Sequence, residues 1–309
     1  MASRRVAGRG SPSLEAAAGA ASSTGRCIIE RAATPEMSPS RVPGRAGMRS
    51  DPSRARPRLA GRAAALAVLG AALVGCRDPT AGPGWLSGSR PPPPSYRAVR
   101  ASQPIAVDGS LDEAAWTNAQ RVELVETLTG RSPRYRTEAR LLWDDRALYV
   151  GFICEDDEVW VRPGRRDDDP IYEDEVVELF LDPSGSGRGY VEIEVSPVNV
   201  RFDARFASWR SDLETARTWN SGARTAVRVD GTITVGDAAP GLARGWTVEI
   251  ALPWAALGLQ PMGGERWRMN LYRIETHNRR HVVEGSGFSP PLRGDFHALD
   301  RFGWLELQR

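Results

Sequence analysis

The chain has 309 residues with 41 basic and 39 acidic side chains, a formal net charge of +2, and every basic residue is arginine. The absence of lysine excludes any mechanism that needs one. Residues 1–97 carry 15 arginines against 5 acidic residues, whereas residues 98–309 carry 26 against 34. A basic leader therefore precedes an acidic body, and an acidic body predicts no nucleic-acid partner. Three cysteines are too few for a disulfide framework or a zinc site.

Residues 48–76 are predicted to be a lipoprotein signal peptide. An apolar run of 13 residues, 63–75, follows several arginines and ends at Cys76 in the box LVGC. The run is shorter than the roughly 20 residues that span a bilayer, and it suits a signal-peptide core. The alternative is a buried helix that contains an incidental cysteine. Cys76 is the predicted lipidation site.

The start of translation is predicted to be Met48. Counted from Met1, Cys76 lies too deep for a signal peptide of about 15–30 residues, whereas the leader from Met48 is 29 residues long. Residues 1–47 are then a misassigned upstream segment or a disordered one. Normal expression of a Met48 substitution in a tagged chain would contradict this prediction.

A proline-, glycine- and serine-rich linker is predicted over residues 77–97. It contains four consecutive prolines, 91–94, which favour an extended segment. Such a linker would hold a folded body away from the membrane that lipids on Cys76 bind, since stable anchoring needs more than one chain. We therefore expect an exported protein of the cell envelope, on the outer membrane or the cell surface.

The body, residues 98–309, is predicted to be one all-β domain. Short runs with alternating or continuous apolar residues are separated by turn signals such as PSGSGRG and PMGG. The spacing indicates a sandwich of two antiparallel sheets. Two short helices are expected, one in LDEAAWTNA near 111–119 and one in PWAALG, which begins at Pro253 and ends at Gly258.

The most apolar strand, EDEVVELFLDP, contains a carboxylate at its centre, Glu178. Side chains alternate between the faces of a strand, so Val177, Leu179 and Leu181 face the core and Glu178 faces away from it. The next strand repeats this pattern, with Glu192 and Glu194 outward. In the following strand the pattern predicts that the arginines and aspartate point outward. The predicted inward residues of that strand are Phe202, Ala204 and Phe206, and the outward ones are Arg201, Asp203 and Arg205.

Two interpretations of this polar face stay open. Opposite charges on neighbouring strands form a solvated lattice of ion pairs, each worth under about 1 kcal/mol. Alternatively, carboxylates and guanidinium groups bind sugar hydroxyls while aromatic rings cover the C–H face of the sugar.

The body resembles the family 9 carbohydrate-binding modules. The segments that carry the resemblance are PIAVDGSLDEAAW (104–116), LLWDDRALYVGF (141–152), YEDEVVELFLDP (172–183), YVEIEVSP (190–197), GWTVEIALPWAAL (245–257) and FGWLEL (302–307). The resemblance implies a lectin-like jelly-roll sandwich without catalytic activity. In characterised members two aromatic rings clamp a terminal sugar, polar side chains bind its hydroxyls, and calcium ions stabilise loops.

The resemblance assigns site residues only in part. Tyr172 stands at one clamp position and Phe296 at the other, where tryptophan is typical, and Glu178 stands at the hydrogen-bonding glutamate. Glu194 replaces an expected arginine, and Arg293 replaces an expected asparagine. These two departures put the known sugar specificity in doubt.

Further candidates come from the residues themselves. Trp209 and Trp219 lie in the polar stretch SWRSDLETARTWNSG and could form a sugar platform or seal the edge of the sandwich. The resemblance implies structural calcium, and acidic turns could supply oxygen ligands. No ordered calcium-loop motif is present, so no metal ligand is assigned and no other cofactor is expected.

The sequence therefore predicts a lipid-anchored envelope protein that binds carbohydrate without catalysis. One alternative is a sandwich that has lost its ligand and serves as a structural or interaction domain. Another is a glycoside hydrolase, which would use Glu178 and Glu194 about 5–10 Å apart, although an open sheet face offers no means of raising a carboxyl pKa. The last is a haem-binding domain, whose axial ligands would come from Met262, Met269, His277, His281 or His297.

Overall fold

The computed structural model describes residues 26–31, 90–277 and 282–309. The predicted signal peptide, Cys76, the proposed start at Met48 and most of the linker lie outside these residues. Within them, no helix is long and apolar enough to cross a membrane.

The described part of the chain consists mainly of strands. Their bounds are β1 (Arg26–Arg31), β2 (Ser95–Arg100), β3 (Val122–Glu123), β4 (Val125–Glu126), β5 (Thr137–Trp143), β6 (Ala147–Glu155), β7 (Trp160–Val161), β8 (Val176–Asp182), β9 (Tyr190–Val195), β10 (Arg201–Phe206), β11 (Arg224–Gly231), β12 (Thr234–Val235), β13 (Ala243–Pro253), β14 (Arg266–His277), β15 (Val282–Gly287) and β16 (Gly303–Leu307).

Two layers of strands face each other, as the sequence predicts for a β-sandwich. One layer has the order β1-β11-β13-β6-β5, and the other has the order β16-β14-β8-β9-β10. Strand β2 joins them, because its first part pairs in parallel with β16 and its end pairs in parallel with β5. The all-β sandwich is confirmed, with the difference that β2 makes the two layers one curled, mixed sheet.

The main core lies between the two layers. Val177, Leu179 and Leu181 of β8 enter it, together with Val150 of β6 and Val248 of β13. These strands are apolar on alternate residues or throughout, so each places at least one apolar face against the other layer. The predicted inward face of β8 is confirmed, and Glu178 therefore lies on the opposite face.

Both predicted helices form, although each is short. The first is a 3₁₀ helix, Ala114–Asn118, and the second is the α-helix Trp254–Leu257. Gly258 ends the second helix with φ +68°, a left-handed conformation that glycine adopts without steric cost. A further helix, Leu213–Ala216, has Asp212 as its N-cap, and the Asp212 side chain accepts a hydrogen bond from the Thr215 amide. In chain order the α-helices are α1 (Leu213–Ala216) and α2 (Trp254–Leu257), and two more 3₁₀ helices span Ile171–Glu173 and Leu299–Arg301.

A buried carboxyl group on β13 holds the segment around the first helix against the sheet. Glu249 Oε2 accepts hydrogen bonds from the amides of Asp108 and Gly109 at 2.9 Å each. Glu249 Oε1 accepts a third, 3.0 Å from Trp116 Nε1. One side chain thus satisfies three donors that would otherwise be buried without a partner.

We expect Glu249→Gln to lower the free energy of unfolding by about 1–2 kcal/mol, because the amide nitrogen cannot accept the hydrogen bonds that one carboxylate oxygen now receives. Urea denaturation measures the change. The control is Glu123→Gln on β3, whose side chain is largely exposed. A Glu249→Gln variant as stable as the control would show that these hydrogen bonds contribute little.

Candidate binding cleft

The carboxylate at the centre of β8 lies on the face that points away from the main core. Glu178 stands directly opposite Glu194 of β9 and Tyr272 of β14. Glu192 stands opposite Phe180, so it shares the same face. A second apolar cluster, which includes Phe180 and Tyr272, covers much of this face. The three glutamates therefore lie among packed rings and not on an open, solvated surface.

The predicted orientation of β10 is wrong. Phe202 pairs with Glu194 and Ala204 pairs with Glu192, so these residues lie on the same face as the glutamates. The predicted outward residues, Arg201, Asp203 and Arg205, lie on the other side of the strand. The chain that follows β10 folds back and partners them: Asp203 accepts a hydrogen bond from the Ser221 amide at 2.8 Å. This partner explains why a charged residue is buried on the core side of an edge strand.

A cleft of about 570 Å³ opens above Glu178 and Glu192, and Glu194 lies buried beside them, outside the lining. It is bordered by Tyr172, Glu178 and Phe296, three residues far apart in the chain that the fold brings together. Its apolar walls also include Phe206, Leu213 and Ile274, and its remaining charged or ionisable residues are Glu192, Arg210, Asp212 and His297. The cleft thus combines aromatic edges with an acidic floor.

The two aromatic edges are held by other rings. Tyr172 lies in the 3₁₀ helix before β8 and packs edge-on against Phe202, with the ring centroids 5.8 Å apart. Phe296 lies in the loop before β16 and stacks on Tyr272 at 4.2 Å with an interplanar angle of 13°. Packing of this kind limits the motion of both rings, so a ligand that binds between them would cost little further side-chain entropy.

The floor consists of carboxyl groups that lack charge partners. Glu178 is 1% exposed and its Oε2 has no hydrogen-bond partner. Burial raises the pKa of Glu178 and of Glu194 well above the usual value, and the neighbouring Glu192 adds to both shifts. Burial also raises the pKa of Glu192, to about 7. Glu194 contacts Glu192, and two carboxyl groups can share a hydrogen bond only when one of them is protonated.

The two basic side chains of the cleft do not neutralise this floor. Arg210 is paired with Asp295, with 2.6 Å between Nη2 and Oδ1. His297 Nδ1 lies 2.9 Å from the hydroxyl of Tyr190, and its Nε2 lies 3.9 Å from Glu192. Burial, with Arg210 nearby, lowers the pKa of His297 to about 4, so its ring is neutral at neutral pH. The lining therefore holds one guanidinium group, already paired, against the carboxyl groups of Glu178, Glu192 and Asp212.

The other sequence candidates lie at varying distances from the cleft. Glu194 is buried in the floor beside Glu178. Arg293 is paired with Asp300 and does not line the cleft. Trp209 is 58% exposed, donates a hydrogen bond to the His297 carbonyl at 3.0 Å, and lines a neighbouring hollow of about 540 Å³. Trp219 packs against the main core instead.

Sequence reasoning missed several lining residues. Arg210, Leu213 and His297 lie in loops or in the short helix α1, where no periodicity relates them to β8. Phe206 was assigned to the core because β10 was turned the wrong way. The residue that could have indicated the correct orientation of β10 is Asp203. Its carboxylate can be buried on the core side because Ser221, in the polar stretch downstream, donates hydrogen bonds to it.

A second acidic cluster lies at the edge between the two layers. Carboxylate oxygens of Asp156, Glu175 and Glu275 lie within 4.8 Å of one another, a spacing that could hold a metal ion. The guanidinium group of Arg273 occupies their midst, 3.0 Å from Asp156 and 3.5 Å from Glu175, and it also contacts Glu275. Arg273 Nη1 donates to the Glu155 carbonyl at 2.7 Å. A cation supplied by the protein itself therefore already lies among these carboxylates and offsets part of their charge.

The candidate haem ligands that the structure describes lie in different parts of the fold. Met269 is completely buried in the main core, and Met262 is largely exposed. His297 contacts Tyr190 in the cleft. Among the described residues, these three side chains therefore form no common pocket for a haem group.

Comparison with known proteins decides the family. Residues 107–309 match the carbohydrate family 9 binding domain-like family, which covers about two thirds of the chain. The chain belongs to this family. The matched region begins just before the turn at Asp108 and Gly109, whose amides donate hydrogen bonds to Glu249, and it continues through β16. The cleft therefore lies wholly within the family 9 domain.

Curated relatives of the family 9 domain are distant. An extracellular protein of Arthroderma benhamiae is 25% identical over 184 residues, which are 57% of this chain and 81% of that protein. The endo-1,4-beta-xylanase A of Thermotoga maritima is 25% identical over 204 residues, which are 65% of this chain. The chain spans only 17% of that xylanase.

Among solved structures, a protein of Bacteroides uniformis resembles the family 9 domain with a TM-score of 0.53 at 15% sequence identity. The match covers 70% of this chain and all of the other chain. At this level of identity the likeness concerns the fold alone.

Proposed function

We propose that the cleft binds carbohydrate without catalysing its conversion. One observation carries the proposal: two aromatic edges, Tyr172 and Phe296, border a cleft whose floor presents a buried carboxyl group with an unpartnered oxygen, on Glu178. Membership of the carbohydrate family 9 binding domain-like family supports it. Aromatic rings cover the apolar C–H faces of sugars, and carboxyl oxygens accept hydrogen bonds from sugar hydroxyls.

A glycan array probed with the full chain tests the proposal. We expect binding to at least one class of plant, bacterial or host glycan. Tyr172→Ala and Phe296→Ala should each weaken binding by about tenfold or more, since each removes one ring that would pack on the sugar. Tyr135→Ala, which removes a ring outside the cleft, is the matched control.

Two outcomes would contradict the proposal. Absence of binding to every glycan class would favour a domain that has kept the sandwich and serves a structural or interaction role. Binding that survives both cleft substitutions would place the sugar elsewhere on the molecule.

The absence of catalysis is part of the proposal. The sequence-based argument against hydrolysis was wrong in its reason, because burial raises the pKa of the carboxyl groups on this face. A glycosidase needs one carboxyl group protonated and a second ionised. Here burial moves the pKa values of Glu178, Glu192 and Glu194 in the same direction, which opposes such a division of roles. Hydrolysis of a bound glycan that Glu178→Gln abolishes would contradict this part of the proposal.

Calcium, which the family resemblance implies, does not fit the cluster around Arg273. Calcium takes about 6–8 oxygen ligands, whereas the carboxylates of Asp156, Glu175 and Glu275 already share the guanidinium group. We propose that Arg273 is the resident cation of this cluster.

We therefore expect the melting temperature to be the same in millimolar calcium and in a chelator, because no ligand that binds only the folded state is removed. Scanning calorimetry of the full chain measures both. Magnesium at the same ionic strength is the control for general effects of salt. A rise in melting temperature with calcium alone would show a calcium site in the folded protein and contradict the expectation.

Export and lipid anchoring are also proposals. The supporting observations are the arginines before residues 63–75, the length of that apolar run and the LVGC box at Cys76. Lipid chains on Cys76 would hold the protein at the cell envelope, and the proline-rich linker would carry the cleft outward. Expression in a bacterial host with a radiolabelled fatty acid tests this: we expect labelling that Cys76→Ala abolishes. Equal labelling of the variant would contradict it.

A further inference from the structure

The floor of the cleft has an excess of acidic groups. Glu178, Glu192 and Glu194 lie side by side on β8 and β9, and each is at most 5% exposed. Oε2 of Glu178, which lines the cleft, receives no hydrogen bond from a protein donor, whereas Glu194 lies outside the lining and shares a hydrogen bond with Glu192. Buried acceptors without donors are costly, so a ligand that brings donors would be favoured here.

The surroundings supply no unpaired positive charge to this floor. Arg210 is paired with Asp295, and the His297 ring is neutral at neutral pH because burial lowers its pKa to about 4. Two more distant arginines are also paired, Arg217 with Glu214 and Arg293 with Asp300. The remaining ionisable groups around the floor are acidic or phenolic, and they are Tyr172, Tyr190, Tyr272, Asp174 and Asp295.

A bare metal ion is a poor match for the floor. Among the described residues, only Asp156, Glu175 and Glu275 bring three ligand atoms within 4.8 Å of one another. The floor carboxyl groups are spread over two neighbouring strands, and apolar walls rise beside them. A larger ligand that carries its positive charge on an apolar and hydroxylated frame would meet both the floor and the walls.

We propose that the cleft selects amino sugars, in which a protonated amine lies on the floor against Glu178 and the sugar ring lies between Tyr172 and Phe296. This inference rests on the proposed carbohydrate-binding function and specifies its ligand class. Burial favours the protonated Glu178 carboxyl group in the empty cleft, so a bound ammonium group lowers the pKa of Glu178 and the carboxyl group releases its proton to solvent. The ammonium group then donates to Oε2 of Glu178, which receives no hydrogen bond from a protein donor. Sugars that carry a carboxylate find no unpaired cation in the lining, because Arg210 is already paired with Asp295.

Isothermal titration calorimetry of the full chain tests the inference with four sugars. These are glucosamine, glucose and N-acetylglucosamine, which differ only in the group at C2 of the ring, and glucuronic acid, which carries a carboxylate at C6. We expect glucosamine to bind about tenfold or more tighter than glucose, since a charge-assisted hydrogen bond adds about 1.4 kcal/mol or more. N-acetylglucosamine should lose this advantage, and glucuronic acid should not bind.

The Glu178→Gln variant tests directly whether the Glu178 carboxyl group causes the preference for glucosamine. Glutamine keeps the shape and an acceptor oxygen but cannot ionise against an ammonium group, so the ratio of glucosamine affinity to glucose affinity should fall to about one, whatever the change in glucose affinity itself. Glu192→Gln is a second variant, in case the first alters folding, and it should reduce the preference in part. Glu123→Gln, on the exposed strand β3, is the matched control and should keep the preference.

The outcomes separate this inference from the proposed function. Equal binding of glucosamine and glucose, or a preference that survives Glu178→Gln, would overturn the inference and leave carbohydrate binding in place. Binding of none of the four sugars, together with no signal on the glycan array, would overturn both. Cyclohexylamine that binds as tightly as glucosamine would show an amine site without selection for a sugar, and would also overturn the inference.

Discussion

Replacing Arg273 with methionine is expected to lower the free energy of unfolding by about 3–5 kcal/mol, because it leaves buried carboxylates without their cation. Arg273 lies on the core side of β14, opposite Val177, and is 1% exposed. Its guanidinium group contacts Asp156 after β6 and Glu175 before β8. The substitution therefore removes a link between the two layers as well as a charge.

The effect should be reversed in part by neutralising the partners. We expect Arg273→Met combined with Glu175→Gln to be more stable than Arg273→Met alone, because without its cation the buried Glu175 must take up a proton on folding, whereas glutamine is already neutral. Burial raises the pKa of Glu175 well above its usual value, so its protonated form already suits this environment.

Urea denaturation measures each variant. The control is Arg244→Met, whose exposed side chain pairs with Asp230 at the surface and should contribute under about 1 kcal/mol. A loss for Arg273→Met no larger than that of the control would show that the cluster is hydrated or holds another cation, and would remove the argument against calcium.

The stability of the Glu192→Gln variant relative to the unsubstituted chain is expected to increase as the pH rises from about 4.5 to about 7. Unfolded, the Glu192 carboxyl ionises near 4.5, whereas burial raises its pKa to about 7 in the folded protein. Between these values the folded state holds a proton that the unfolded state releases, so the unsubstituted chain loses stability with rising pH. At about 1.4 kcal/mol per pH unit, the loss approaches roughly 3 kcal/mol.

The comparison with the variant is needed because the contribution of His297 to the free energy of unfolding changes with pH in the opposite direction. Its pKa falls from 6.5 to about 4, so its contribution to stability is present above pH 6.5 and is lost as the pH falls through about 4. Glu249, whose pKa burial raises to about 8, contributes equally in both chains. The difference between chain and variant isolates Glu192 from both.

Urea denaturation across this pH range checks the expectation. Glu123→Gln should give a difference that does not change with pH, since its side chain is largely exposed. A constant difference for Glu192→Gln as well would mean that the floor of the cleft is hydrated and its carboxyl groups ionise normally.

The sequence predicts the sandwich and the orientation of its central strands well. In β8 and β9 the alternation of valine, leucine and isoleucine with other residues leaves one arrangement that buries an apolar face, so the position of Glu178 follows directly. The same reasoning fails at β10, which has an apolar side and a charged side. There the apolar side covers the glutamates and the charged side is satisfied by Ser221.

The cleft itself is predictable only at the positions that the family resemblance supplies. Tyr172 and Phe296 were placed by resemblance, and the fold brings both to the cleft. Arg210 and His297 lie in loops whose paths depend on long-range contacts, such as the hydrogen bond from Trp209 to the His297 carbonyl. Local sequence patterns contain no record of such contacts.

The sequence predicts the glutamates of the floor but not its excess of acidic groups. The three glutamates were expected on one face together with Arg201 and Arg205, which would have balanced their charge. Because β10 is turned, both arginines lie on the other side, and the floor lacks the cations that the sequence suggested. The strand orientation therefore decides between a lattice of ion pairs and an acidic binding floor.

The position of the sugar is the central claim, and NMR of the full chain with isotope-labelled aromatic residues tests it most directly. A glycan that binds on the array is titrated while the ring signals are followed. The account predicts saturable shifts at Tyr172 and Phe296 and unchanged signals at Trp219, whose ring packs on the main core. Shifts confined to rings outside the cleft, or no shift with any glycan, would contradict it.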